Sequence, residues 1–183
     1  MRKIPLVLCL LAAATAAKAG SFVLQSPQIG HEAVIGNAHV FNGFGCSGDN
    51  ISPALSWQNP PAGTRSFVLM VHDPDAPTGG SGWWHWVVTD IPATVDALPA
   101  GAGASDGSKA IPGTRQIATD FGQPGWGGPC PPVGDKPHRY VFTLYALDVP
   151  KLDLPAGASA ALVGYMANSH SLGKASLTGL YGR

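Results

Sequence analysis

Apolar and polar positions alternate in short bursts along this chain, and the bursts end at glycine or proline. Residues 66–72 (SFVLMVH) and 83–91 (WWHWVVTDI) are runs of β-branched and aromatic side chains with breakers at both ends, the pattern of strands. Residues 138–148 (HRYVFTLYALD) repeat every second position, which sets His138, Tyr140, Phe142, Leu144 and Ala146 on one face. The same rule puts Trp83, His85 and Val87 on one side of their strand, opposite Trp84, Trp86 and Val88. A hairpin joining the first two runs leaves its turn residues Asp73 and Asp75 at one end of the sheet, with His85 at that same end. Residues 158–172 are alanine-rich and follow Pro155 and Gly157, so a helix is expected there, then a last strand over 175–181. Residues 99–113, rich in Gly, Ala and Ser, read as an exposed loop. Strands dominate, with one or two short helices, no βαβ rhythm and no internal repeat. The fold class expected is mainly β, a two-sheet antiparallel β-sandwich.

The first nineteen residues change the picture. Arg2 and Lys3 precede an apolar stretch over residues 4–14, and Ala17-Lys18-Ala19 forms an A-x-A cleavage site. This is the pattern of a secretory signal peptide, too short for a membrane span. A single domain over residues 20–183 is expected, periplasmic or secreted after cleavage near Ala19, with no transmembrane segment. The whole chain has eleven basic and eleven acidic residues. Loss of Arg2, Lys3 and Lys18 leaves the acids in excess by three, a field that does not suit nucleic acid. Cys9 goes with the leader, and Cys46 and Cys130 remain. In an oxidising compartment two lone cysteines pair by default, the alternative being two buried thiols.

Chemistry concentrates in a few polar groups: Asp73 and Asp75, His85, and the pair His138 and Tyr140. A carboxylate bonded to one imidazole nitrogen would fix the tautomer, favour the imidazolium and leave the other nitrogen for an anion. The loop before the second histidine, residues 121–140 (FGQPGWGGPCPPVGDKPHRY), brings glycines that allow close backbone approach and a stiff Pro131-Pro132 pair. Other motifs fail on context. Gly103-Ala104-Ser105-Asp106-Gly107 matches G-x-S-x-G without the flanking strand and helix that a nucleophile elbow needs. Asp73-x-Asp75 opens like a calcium loop, but Pro77 and the lack of a closing Glu spoil it. His72, His85 and His138 have no zinc-site spacing, so no metal and no cofactor are expected.

Several motifs in order carry a resemblance. They are Asp49-Asn50-Ile51-Ser52-Pro53 with Leu55-Ser56-Trp57, then Asp73-Pro74-Asp75-Ala76-Pro77 and Gly82-Trp83-Trp84-His85-Trp86-Val87-Val88. Gly128-Pro129-Cys130-Pro131-Pro132 and His138-Arg139-Tyr140 complete the set. The chain resembles the phosphatidylethanolamine-binding protein family, also called Raf-kinase-inhibitor-like, in its bacterial YbhB/YbcL branch. That resemblance implies a β-sandwich with a small anion pocket at one end for phosphate-like head groups. Asp73, His85, Pro131, His138 and Tyr140 would bind the ligand, with Trp83, Gly128 and Pro132 as walls. Asp73 would orient His85, the tryptophans would wall the pocket, and Asp75 would hold its own turn. Trp84 stands where eukaryotic members have a second histidine, and the chain stops at Tyr181-Gly182-Arg183 without their C-terminal helix, so kinase inhibition is not carried over. The function expected is binding of a phosphate- or carboxylate-bearing ligand without catalysis. The alternatives are a module acting on a protein partner through its pocket-end loops, or a hydrolase using a histidine base. A homodimer is compatible with either.

Overall fold

A computed structural model describes residues 20–183, and the leader expected over residues 1–19 lies outside them. In chain order the strands are β1 (Val23–Gln25), β2 (Ala33–Val34), β3 (Asn42–Gly43), β4 (Cys46–Ser47), β5 (Leu55–Gln58) and β6 (Ser66–Asp73). They continue with β7 (Trp83–Pro92), β8 (Ala97–Leu98), β9 (Arg115–Gln116), β10 (His138–Leu147) and β11 (Ser171–Tyr181). The helix α1 (Ala160–Ser169) precedes β11, and a short 3-10 turn covers Asn37–His39. The large sheet has the order β2-β11-β10-β6-β7-β9 and the small one β1-β5-β8, with β3 and β4 paired apart. All pairs are antiparallel except β2 with β11.

The main core fills the space between the two larger sheets. Leu24, Leu55, Trp57 and Leu98 of the small sheet meet Phe67, Leu69, Val71, Trp86, Val88, Phe142 and Leu144 of the large one. On the other face of the large sheet, Val163, Ala160 and Ala167 of α1 pack on Val68, Met70, Val87 and Leu147. Covered on both faces, β6 is buried from Ser66 through Val71, which is why its sequence runs apolar without alternation. Each fully buried Leu, Val or Phe contributes about 1.5–3 kcal/mol by leaving water.

The helix is shorter than the composition suggests. Ser159 caps it, its side chain accepting from the Leu162 N–H at 3.2 Å. It ends at Ser169, because Ser171 and Gly173 already pair with Leu147 and Ala146 of β10. The loop at 99–113 is only half exposed. Gly103 lies among Trp86, Trp126 and Ser52, with the Ser52 hydroxyl accepting its N–H at 2.9 Å.

One of the breaks in strand register falls at the place that matters. Asp73 pairs with Trp83, His72 with Trp84 and Val71 with Trp86, so β7 spends an extra residue at His85. That β-bulge turns His85 and Trp86 toward the same side. Trp83, His85, Trp86 and Val88 therefore lie on the inter-sheet side, and Trp84 and Val87 on the helix side. The face assignment from strict alternation is corrected accordingly.

Candidate functional site

The end of β6, the start of β7 and the start of β10 meet at one edge of the large sheet. Asp73, Trp83, His85, His138 and Tyr140 line a single cavity there of about 150 Å³. Pro131 and Pro132 close one side, and Phe44, Ala76, Pro77 and Phe121 complete the wall beside Cys130. The volume suits a head group of phosphate size and is well below the roughly 300 Å³ where pockets for drug-sized ligands begin.

Asp73 serves a different histidine from the one expected. Its Oδ2 accepts from His138 Nδ1 at 2.8 Å, and its Oδ1 accepts from the Asp75 N–H at 2.8 Å. Both carboxylate and imidazole are almost fully buried. The other nitrogen of His138 faces Asp135 Oδ2 at 3.3 Å. His138 thus braces the back of the site and offers no free ring nitrogen to the cavity. Asp75 does not hold its own turn either. It accepts from the Arg139 N–H at 2.9 Å, from Nε at 2.9 Å and from Nη2 at 2.7 Å. That guanidinium fork draws the Asp75 carboxyl down to about 2.

His85 is fixed by the glycine loop. Its Nδ1 donates to the Gly127 carbonyl at 2.6 Å, and the Gly127 N–H returns a bond to the His85 carbonyl at 2.8 Å. Burial pushes the imidazole down to about 4, against the pull of the Gly127 carbonyl and the nearby Asp73 charge. A carbonyl can only accept, so Nδ1 carries a proton and Nε2 is the ring nitrogen left for the cavity. Tyr140 is fully buried and its hydroxyl has no hydrogen-bond partner among the described residues. Burial first, and then the Asp73 carboxylate, push this phenol above its ordinary value, so it keeps its proton.

Of the tryptophans only Trp83 walls the cavity. Trp84 packs at a tilt against His72 on the opposite face of the sheet, and Trp86 sits in the core with its Nε1 donating to Gln116. Gly128 lies behind the wall. Its N–H donates to Asn50 Oδ1 at 2.8 Å, and a Cβ there would meet the His39 carbonyl oxygen at 2.1 Å. Asn50 also donates to the Trp126 carbonyl, so the D-N-I-S-P segment staples the glycine loop. Cys46 and Cys130 are joined as a disulfide, which ties the Phe44 loop to the proline loop. Arg183 spans the same two loops, donating to the carbonyls of Pro131, Gly45 and Phe44. Phe44, Phe121, Asn50, Asp135 and Arg183 were not singled out from the sequence. The quoted motifs and the 121–140 loop contain Phe121, Asn50 and Asp135, but nothing local marks them as parts of a pocket.

Comparison with known proteins decides the family. The model for the phosphatidylethanolamine-binding protein family matches residues 25–182. The chain belongs to that family. Within it the chain falls in the YbhB/YbcL branch. It is 50% identical over 165 residues to the UPF0098 protein YbcL of Escherichia coli K12, covering 90% of each chain. It is 54% identical over 144 residues to YbhB of the same strain, covering 78% of this chain and 89% of YbhB. The crystal structure of E. coli YbcL, described as a new member of the mammalian PEBP family, superposes with a TM-score of 0.86. That match has 48% identity and covers 90% of this chain and 99% of the other. A phosphatidylethanolamine-binding protein from Plasmodium vivax, 16% identical with a TM-score of 0.52, shares the fold. It covers 88% of this chain and 82% of that one.

Proposed function

We propose that this chain is an exported binding protein of the phosphatidylethanolamine-binding family, whose pocket holds a phosphate or carboxylate group without transforming it. The observation that carries this reading is the Tyr140 hydroxyl, fully buried yet without a protein partner, in the cavity shared with His85 and Asp73. Buried donors are almost always satisfied, so one left open toward a cavity is a group that a ligand oxygen would satisfy. The apolar wall of Trp83, Phe121, Pro131 and Pro132 strengthens such a bond by excluding water. Binding without turnover fits the groups present, since His138 and Asp73 are spent on each other and His85 has no nucleophile beside it. Export is supported by the leader pattern in residues 1–19 and by the Cys46–Cys130 disulfide.

The test is titration calorimetry with inorganic phosphate and acetate at pH 6, on the wild type and on Tyr140→Phe. The substitution removes an unpaired buried hydroxyl, so stability should hold or rise while affinity falls at least about tenfold. Equal affinity in both proteins, or none in either, rejects the reading. Mass spectrometry of the exported chain should find Gly20 at its N-terminus.

A further inference from the structure

The ring of His85 has one hydrogen-bond partner among the described residues, the Gly127 carbonyl at 2.6 Å from Nδ1. Phe121, Trp126 and Tyr140 pack around it with ring centroids 5.4, 6.4 and 5.0 Å away. Those contacts fix where the ring lies but not its flip, because a half-turn exchanges a nitrogen for a carbon of nearly equal size. The Gly127 carbonyl makes that choice, and it keeps Nε2 for the cavity. Gly127 in turn is held by hydrogen bonds alone. It has no side chain to anchor it, and a Cβ there would sit 2.3 Å from the Phe121 ring. A peptide unit is planar, so its N–H and its carbonyl turn together. The unit that aims its carbonyl at His85 Nδ1 has the Gly128 N–H at its other end, donating to Asn50 Oδ1 at 2.8 Å. The unit before it presents the Trp126 carbonyl to Asn50 Nδ2 at 3.2 Å and the Gly127 N–H to the His85 carbonyl at 2.8 Å. Both peptide planes beside Gly127 are thus suspended between Asn50 and His85.

Resting on the anion-pocket reading above, we propose that Asn50 is a positioning residue of the pocket. Through the peptide that joins Gly127 to Gly128 it sets the flip of the His85 ring, and so the ring atom that a bound oxyanion meets. Asn50 does not itself line the cavity. A single side-chain amide is the group this task needs, because it must donate to one peptide and accept from the next. The backbone at Asn50 is left-handed, with φ 52°, a conformation that asparagine and glycine adopt more readily than other residues. Its own N–H donates to the Val40 carbonyl at 2.9 Å, so the side chain starts from a fixed point.

Asn50→Gly and Asn50→Ala both remove the amide, and only alanine strains the left-handed backbone. The first readout needs no ligand. Long-range proton–nitrogen NMR should show the His85 Nδ1 proton of the wild type as a downfield, slowly exchanging signal. In both variants that signal should be lost to exchange. Ser159→Ala removes the cap of α1 on the other face of the large sheet, so it controls for general destabilisation and should leave the signal in place. The second readout is calorimetry with inorganic phosphate. Affinity should fall at least about tenfold in both Asn50 variants, the worth of one hydrogen bond to a charged group, and hold in Ser159→Ala. A His85 signal retained in Asn50→Gly overturns this inference, whatever happens in Asn50→Ala, and leaves the pocket reading standing. Loss of the signal in Ser159→Ala as well also overturns it, since general loosening would then be the cause. No phosphate binding by the wild type removes the pocket reading and the claim on affinity, whereas loss of the His85 signal in Asn50→Gly alone still assigns the ring to Asn50.

Discussion

Replacing Cys46 and Cys130 together by alanine tests what the disulfide contributes. The bond joins positions separated by 84 residues. In the chain-entropy account a loop of that length restricts the unfolded ensemble by about 4.5 kcal/mol at 25 °C. The folded protein has a second tie between the same loops, because Arg183 donates to Pro131 on one side and to Gly45 and Phe44 on the other. The native pocket should therefore survive the loss of the bond, and the effect should fall on the unfolded state. For a domain of this size about 4.5 kcal/mol corresponds to a drop in Tm of roughly 9–18 °C. Thermal unfolding followed by circular dichroism on the wild type, the reduced wild type and the Cys46→Ala, Cys130→Ala variant measures it. A drop below about 2 °C in both would falsify the entropic account. Adding Arg183→Ala to the double variant removes the second tie, and only then should affinity for a small oxyanion fall as well.

Other perturbations have definite signs. Asp75 is held at about 2 by Arg139, below its unfolded value of 3.8. A depressed carboxylate contributes stability that is present above pH 4 and lost as pH falls toward 2. The two side chains are 31% and 56% exposed, so screening reduces the contribution to about 1 kcal/mol. Asp75→Asn should cost that much at pH 7 by urea denaturation, and the gap should close by pH 2. A gap unchanged with pH would assign the effect to packing. Gly128→Ala forces a methyl group against the His39 carbonyl oxygen and the Phe41 backbone nitrogen, so it should cost about 2–3 kcal/mol. Unchanged stability would mean that the loop can retreat, contrary to its bond with Asn50.

The fold was legible where one face of an element decides its sequence. The period-two run from His138 to Ala146 gave the buried face of β10 correctly, because that strand faces the core with every second side chain. The hairpin of β6 and β7 was equally plain from its breakers. Errors came where a neighbour overrides local preference. The alanine-rich run from Ala158 onward gives no sign that strand pairing with Leu147 ends the helix before Ser171. Gly103 looks like loop filler, although two indoles and Ser52 leave no room for a Cβ there.

At the site, the members of the cavity could be read from motifs, and their partnerships could not. A carboxylate near a histidine in sequence is not thereby its hydrogen-bond partner. Asp73 is twelve residues from His85 and sixty-five from His138, yet it is the distant one that it holds. The reason is the geometry of the sheet. β6 lies between β7 and β10, so Asp73 at its end has a histidine available on either side. The bulge gives His85 to the Gly127 carbonyl, and the regular ladder leaves His138 to Asp73. One extra residue in one strand thus decides which imidazole meets a carboxylate and which meets a backbone carbonyl, leaving its other nitrogen to the cavity.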